Sequence, residues 1–412
     1  MDKNLLICDD NLNALEDLIR KEVKVDLIYL DPPFFSNRHY EVIWGDEAEV
    51  RSFKDRWEGG IQVYIEWMKE RVLKMYDVLK DTGSFYLHCD WHASHHLRIM
   101  LDEIFVAKNF RNEIIWAYNV GGRSKNYFGR KHDNIYFYTK SDEWFFYPDA
   151  IKVKRETGSG SFGGKIGRDE EGKLYQDKIA KGGKVYRYYL EAGKTPEDVW
   201  MDINTIQSQD KERRGYPTQK PEALLERIIK ASSNEGNLIL DPFCGCGTAM
   251  AVAHNLKRKW IGIDISPTAI KLIEKRLKGL GAEKGKDFDV IGMPTTISEL
   301  KALKPFEFQN WVINRMKAKQ SKKLSSDFGI DGYYDKTIFT EKAGIQVKQS
   351  ENIGRNVIDN FETALPRGKF KKGFIVAFSF TKGAYEEIAR IKENLDIRLI
   401  KVDDLLLGKV KI

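Results

Sequence analysis

The stretch from Leu238 to Asp264 constrains the fold more than any other. An apolar run, Leu238-Ile-Leu, ends in Asp241-Pro-Phe-Cys-Gly-Cys-Gly-Thr248, and a second run, Trp260-Ile-Gly-Ile, ends in Asp264. Strand, glycine turn, helix and strand in that order make one βαβ unit, which calls for a parallel sheet covered by helices. Gly245 and Gly247 stand where the strand gives way to the helix, and glycine there lets the backbone approach a ligand closely. Asp264 follows Gly245 by nineteen positions, the spacing that brings an acid to ribose hydroxyls in a nucleotide-binding unit. A dinucleotide site would place a third glycine at position 250, which is Met. That argues against a pyrophosphate and for a smaller adenosyl ligand. Cys244 and Cys246 flank a glycine like a metal-binding pair, but no further ligands lie near them in sequence, so they read as turn fillers.

The same alternation extends toward the N-terminus. Residues 5 to 8 and 25 to 30 are short apolar runs that stop at acids, as buried parallel strands do. Ile61, Ile65, Met68, Val72, Met75 and Leu79 recur at spacings of three and four and predict an amphipathic helix, which Asp81-Thr-Gly-Ser84 should break before a strand at Phe85. A helix over 94–105 and strands over 114–118 and 135–138 continue an α/β sheet. From Gly121 to Arg214 the pattern loosens into Gly, Lys, Tyr and Ser, with Gly-Ser-Gly-Ser-Phe-Gly-Gly at 158–164, and reads as an inserted β or looped region. Regular structure resumes with a helix over 221–231. After about Gly292 a new helix, hairpin-like strands and two strand and helix pairs predict a separate C-terminal domain.

Asp31-Pro32-Pro33-Phe34, at the end of a predicted strand, carries the chemistry. The exocyclic amine of adenine or cytosine is a poor nucleophile because its lone pair is delocalised into the ring. The Asp31 carboxylate and the Pro32 carbonyl can accept its two N–H hydrogens and localise that lone pair as positive charge develops. Pro32 and Pro33 hold the carbonyl still. Phe34, with Phe35 or Tyr40, offers a face for a flipped base, since such a reaction cannot occur inside a duplex. Taken alone, the tetrapeptide is equally a rigid turn after a strand.

Composition sets limits around this reading. The hydrophobic share of 42% and charged share of 31% suit a globular chain and exclude a disordered one. A net charge of +7, with Lys and Arg gathered from Arg123 to Lys194 and from Arg315 to Lys323, suits a polyanionic partner. Met-Asp-Lys-Asn at the start lacks the pattern of a signal peptide and no apolar run approaches spanning length, so a cytoplasmic protein without membrane contact is expected. The four cysteines are too few and too scattered for a disulfide framework. His92 and His96, four apart with His88 and Asp90 near, would suit zinc, with surface or helix-start histidines as the plainer account.

Asp31-Pro-Pro-Phe, then Tyr216-Pro-Thr-Gln-Lys-Pro-Glu-Ala-Leu-Leu-Glu-Arg-Ile-Ile229, then Asp241-Pro-Phe-Cys-Gly-Cys-Gly-Thr resembles the beta class of DNA amino-methyltransferases over about residues 4–292. In that class the catalytic half precedes the cofactor half, a circularly permuted motif order on a Rossmann-like mixed sheet. The resemblance implies S-adenosylmethionine as cofactor and double-stranded DNA as partner, with assembly as a homodimer left open. It implies Asp31, Pro32, Pro33 and Phe34 as the catalytic loop. By the same resemblance Asp10 would contact the cofactor adenine, Asp264 its ribose, and Thr218, Gln219 and Lys220 would stand beside its methionine end. Asp241, Phe243, Gly245, Gly247 and Thr248 would complete the cofactor site. Gly83 to Asp90 is also similar to a family motif. Tyr216 stands where His is usual, and Cys244 and Cys246 replace smaller residues. The implied layout is a catalytic half over 1–118, a target-recognition insertion over 119–213, a cofactor half over 214–292 and a linker over 293–304. Adenine N6 is the expected target by family habit, with cytosine N4 the close alternative and RNA or a protein amide a further one.

Asp327-Phe-Gly-Ile-Asp331-Gly followed by Gly344-Ile-Gln346-Val-Lys348-Gln resembles the Mrr-like branch of the restriction-endonuclease fold, over 305–412. Gln346 and Lys348 are two apart on a predicted strand and so share a face. The resemblance implies Asp331 and Gln346 as ligands of Mg2+ and Lys348 as the nuclease lysine, in a restriction-modification polypeptide. Gln309 stands where that family often has a helical Glu, which leaves an inactive DNA clamp as the alternative.

Overall fold

The computed structural model describes residues 3–35, 60–118, 125–155, 166–214, 218–303, 305–316, 318–321, 329–335, 342–392 and 395–410. Tyr40, Tyr216, the Gly-Ser segment 158–164 and Asp327 lie outside the described residues. The chain opens with Asn4–Cys8 (β1), Asn11–Arg20 (α1), Val25–Leu30 (β2), Ile61–Val78 (α2), Leu79–Cys89 (β3), Ser94–Phe105 (α3), Phe110–Ala117 (β4) and His132–Thr139 (β5). Short strands follow: Ile166–Arg168 (β6), Leu174–Ile179 (β7), Val185–Tyr189 (β8) and Val199–Trp200 (β9). Next come Glu222–Ser232 (α4), Leu238–Asp241 (β10), Thr248–Asn255 (α5), Lys259–Asp264 (β11), Pro267–Gly279 (α6) and Phe288–Ile291 (β12).

These strands form a 9-stranded sheet in the order β12-β1-β11-β10-β2-β3-β5-β4-β9. From β12 to β3 all neighbours are parallel. The runs at β2 and β10 are apolar nearly throughout because helices cover both faces. Along β2, Leu27 and Tyr29 pack with α4 to α6, whereas Ile28 and Leu30 pack with α1 to α3. Asp26, the polar exception, accepts hydrogen bonds from Lys80 Nζ (2.7 Å) and Leu238 N (2.8 Å), so its burial leaves no unpaired charge.

The topology creates the site. Helix α2 carries the chain from β2 outward to β3, and α5 carries it from β10 outward in the opposite direction to β11. The two connections diverge between β2 and β10, leaving a crevice beyond the carboxyl ends of those strands, where open α/β sheets bind ligands. The loop 31–35 leaves β2 there and the glycine turn leaves β10 beside it.

Two expectations need correction. Asp81-Thr-Gly-Ser84 does not separate α2 from the next strand: β3 begins at Leu79, paired with Val25, and the register jumps so that Ser84 pairs with Leu27. The glycine marks a bulge in the strand. β4 and β5 are antiparallel, β5 running against β3, as expected of a mixed sheet. The linker 293–304 contains a helix, Ile297–Ala302 (α7), closed by a capping box between Thr296 and Glu299, and its Leu300 is fully buried in the C-terminal core.

Beyond it lie Pro305–Arg315 (α8), Lys319–Gln320 (β13), Gly332–Tyr334 (β14), Ala343–Lys348 (β15), Arg355–Arg367 (α9), Lys372–Ala377 (β16), Lys382–Ile391 (α10), Asp396–Lys401 (β17) and Val402–Leu406 (α11). They build a 5-stranded sheet, β13-β14-β15-β16-β17, with separate cores on its two faces. Helix α8 packs on α6, and Asn314 Nδ2 donates to Thr268 Oγ1 (2.5 Å) across that junction. A small antiparallel sheet, β6-β7-β8, stands apart within the loosened region. Among the described residues no helix is long and apolar enough to cross a membrane.

Candidate active site

At the crevice, Asp31 Oδ2 accepts a hydrogen bond from Lys220 Nζ at 2.5 Å, with the two side chains only 16% and 12% exposed. Pro32 is buried, which fixes the carbonyl that follows the acid. The Lys220 ammonium also lies 5.1 Å from the centre of the Phe34 ring. The loop after β2 and the segment before α4, far apart in sequence, therefore meet at a single ion pair.

The glycine turn faces them across β10. Gly245 N donates to Asp264 Oδ2 at 2.8 Å, and Ser266 N donates to Oδ1 at 2.9 Å. Burial pushes the Asp264 carboxyl up to about 6 even though these two donors favour its charged form. Asp241 is fully shielded and its carboxyl is pushed well up by burial, opposed by the Phe243 amide and reinforced by the charges of Asp31 and Asp264. Phe243 packs its ring 5.7 Å from that of Trp67. Gly247, at φ +73°, starts α5 in the left-handed region that favours glycine.

Several predicted cofactor residues have structural partners. Asp10 caps α1 by accepting Leu12 N and is gripped by Arg71 Nη2 at 2.9 and 3.1 Å. Gln219 braces its own loop, donating to Glu212 O and accepting from Arg214 N, both at 2.7 Å. Thr248 Oγ1 accepts from Arg276 Nη1 at 3.1 Å and is buried. Thr218 is exposed.

A buried polar chain behind Phe34 escaped the sequence reading. Tyr29 Oη lies 3.0 Å from His88 Nδ1, His88 Nε2 lies 3.1 Å from Asp133 Oδ2, and Tyr118 Oη donates to Asp133 Oδ1 at 3.1 Å. Burial raises the Asp133 carboxyl, but the hydrogen bond and charge of His88, with help from Lys220 and Tyr118, hold it below the usual carboxylate range. The His88 ring is 5.8 Å from Phe34 and 5.7 Å from Trp116. His88 stood in a stretch marked by resemblance, but Asp133 reaches it only through the antiparallel β3/β5 pairing, which no spacing announces.

His92 Nδ1 lies 2.6 Å from Asp90 Oδ2, so one of the two helix-spaced histidines already has a carboxylate partner. Among the described residues the acidic trio Asp359, Glu362 and Glu387 is the grouping with metal-ligand spacing, and Arg355 and Arg390 neutralise it.

In the C-terminal domain Asp331 N donates to Ile345 O at 2.8 Å, and Asp331 Oδ2 accepts from Val347 N at 2.6 Å. Continuing the Gly332↔Ile345 register sets Asp331 opposite Gln346. Gln346 is buried and its Oε1 has no hydrogen-bond partner among the described residues. Gln346 lines a cleft with Gly329, Asn360, Thr363 and Arg367. Lys348 follows at the end of β15, half-buried, and Gln309 lies half-buried on α8.

The chain is similar to known proteins. Residues 25–275 match the DNA methylase family, and residues 300–407 match a restriction endonuclease family. The type II methyltransferase M.HpaI of Haemophilus parainfluenzae is 32% identical over 275 residues, covering 66% of this chain and 73% of its own. The DNA adenine methyltransferase YhdJ of Escherichia coli (strain K12) is 31% identical over 255 residues, covering 61% and 76%. The crystal structure of an M1.HpyAVI–SAM complex gives a TM-score of 0.41 at 20% identity, over 66% of this chain and 98% of that one. With the motif order, the parallel sheet and a family match over most of the chain in agreement, the protein belongs to the DNA methylase family and carries a restriction-endonuclease-like domain on its C-terminal side.

Proposed function

We propose that the chain is an S-adenosylmethionine-dependent, site-specific methyltransferase that modifies adenine N6 of a flipped base in double-stranded DNA. The observation that carries the reading is the meeting, at one crevice, of the Asp31-Pro-Pro-Phe loop with the Gly245 and Asp264 pair. Asp264 offers a carboxylate to a ribose diol, Phe243 a ring to adenine, and Lys220 a positive charge and Asp241 a buried carboxyl to a zwitterionic amino-acid end. This donor set fits S-adenosylmethionine, which when bound supplies an electrophilic methyl group on a sulfonium.

The protein's own groups then do the following. Asp31 and the Pro32 carbonyl accept the two amine hydrogens, so the nitrogen lone pair localises toward the cleft. The negative charge of Asp31 also favours the positive charge that grows on nitrogen. Phe34 stacks against the flipped base and keeps water from the reacting nitrogen. The adenine methyltransferase among the relatives favours adenine; cytosine N4 would be gripped in the same way. The β6-β7-β8 sheet, with Tyr186, Arg187 and Tyr189 exposed, is the proposed reader of DNA within 119–213, combining phosphate contacts with base contacts.

For the second domain, a Mg2+-dependent DNA cleavage activity is favoured by the buried, unpartnered Gln346 Oε1 opposite Asp331. Both are hard oxygen donors that suit Mg2+. Asp331 and Gln346 would hold the ion, which would supply Lewis-acid polarisation of a phosphate, and Lys348 would steady that phosphate or the attacking water. Mg2+-dependent nicking that persists undiminished in both Asp331→Ala and Lys348→Ala would refute this assignment.

The methyltransferase reading is tested by incubating the full chain with unmethylated genomic DNA and methyl-labelled S-adenosylmethionine. Label should enter the DNA and fail to enter with Asp31→Asn. Equal incorporation by the two proteins would overturn the role given to Asp31.

A further inference from the structure

The Lys220 to Asp31 ion pair is a poor ground state for the reaction just described. An ammonium 2.5 Å from Oδ2 occupies an acceptor that the amine of the target base needs. It also offsets the negative charge that would favour a positive nitrogen, and it lies 5.1 Å from the centre of the Phe34 ring, the ring proposed to stack on the base. With Lys220 in that position Asp31 is a weaker partner for the amine.

We propose that Lys220 is a switchable positioning residue: it holds Asp31 until the cofactor binds, then turns to the cofactor's α-carboxylate and releases Asp31 for the base. The inference rests on the methyltransferase reading and deepens it by fixing the order of events. Cofactor binds first, and the base is gripped second.

Three observations support the switch. The carboxylates of Asp133 and Asp241 also feel the Lys220 charge, so the ammonium sits among three acids with a direct hydrogen bond recorded to one, and a short movement does not leave it unpaired. Gln219, whose side chain is clamped to Glu212 O and Arg214 N, braces the loop next to Lys220, so the switch asks for a turn of the Lys220 side chain and not of the loop. Two arginines near these strand ends have structural duties: Arg71 holds Asp10 and Asn11, and Arg276 holds Glu222, Cys246 O and Thr248. Lys220, beside Asp31 and on the segment that the resemblance sets at the methionine end of the cofactor, is the cation placed to meet a carboxylate arriving there.

The test compares two probes on the full-length protein by calorimetry: S-adenosylhomocysteine, and its decarboxylated analogue, which lacks only the α-carboxylate. Wild type should prefer the carboxylate-bearing probe. Lys220→Gln should weaken S-adenosylhomocysteine by about tenfold or more, the scale of one lost charge-assisted hydrogen bond, and leave the analogue unchanged. Asp31→Asn, which loosens the hold on Lys220, should tighten S-adenosylhomocysteine several-fold and again leave the analogue unchanged. The two variants thus move one ratio in opposite directions, which a purely structural ion pair would not do. If both probes bind and their ratio is the same in all three proteins, the switch is refuted while the methyltransferase reading stands. If neither probe binds wild type, both fall together.

Discussion

Asp264 is pulled in two directions. Burial favours its neutral form, while the amides of Gly245 and Ser266 favour the carboxylate, and the balance leaves the group near 6 rather than at the ordinary 3.8. Because the folded-state value is raised, the neutral acid is the form that suits the empty fold. Its stabilising contribution is complete below about 3.8 and is lost as pH rises through about 6. Cofactor binding has the opposite sign, since a ribose diol donates to a carboxylate and not to a carboxylic acid. Affinity for S-adenosylhomocysteine should therefore fall as pH is lowered through about 6, approaching tenfold per pH unit well below that value, and Asp264→Asn should flatten the profile. A wild-type profile that stays level from about pH 5 to 8 would contradict this role. At the same scale, the resemblance marks Lys220 as a neighbour of the cofactor, and the structure pairs it with Asp31.

At the level of elements, the parts set by local chemistry were legible and those set by distant pairing were not. The three and four spacing from Ile61 onward anticipated α2 because one stripe of that helix buries Met68, Val72 and Met75. The turn from β10 into α5 was legible because Gly247 has to adopt φ +73°. The bulge in β3 looked like a helix stop, since Asp-Thr-Gly-Ser has the same composition in either setting. The direction of β5, and with it the meeting of His88 with Asp133, depends on which strand it pairs with and leaves no local trace. Helix α7 was missed because it is short and only Leu300 is buried. The glycine turn is the element most exposed to substitution. A Cβ at Gly247 would stand 2.7 Å from Ile273 Cγ1 on α6, on top of the unfavourable φ. Gly247→Ala should cost about 1 to 3 kcal/mol in urea unfolding. A change within about 0.5 kcal/mol would mean that the junction of α5 and α6 yields more easily than its packing suggests.

Two large sheets with separate cores, beside the small β6-β7-β8 sheet, make up the described molecule, and the two are joined where α8 rests on α6, the helix that follows Asp264. The crevice and the Asp331, Gln346 and Lys348 group belong to different sheets, so a change in one should leave the chemistry of the other intact. This arrangement suits a polypeptide that marks DNA with one domain and cuts it with the other. The proposed chemistry turns on Asp31 gripping an exocyclic amine beside an adenosyl cofactor. The most direct measurement is single-molecule sequencing of DNA from cells expressing wild type, Asp31→Ala or Lys348→Ala. Wild type and Lys348→Ala should leave N6-methyladenine at one recurring sequence, and Asp31→Ala should leave none. Modified bases that persist with Asp31→Ala, or DNA that wild type leaves unmodified throughout, would contradict the account.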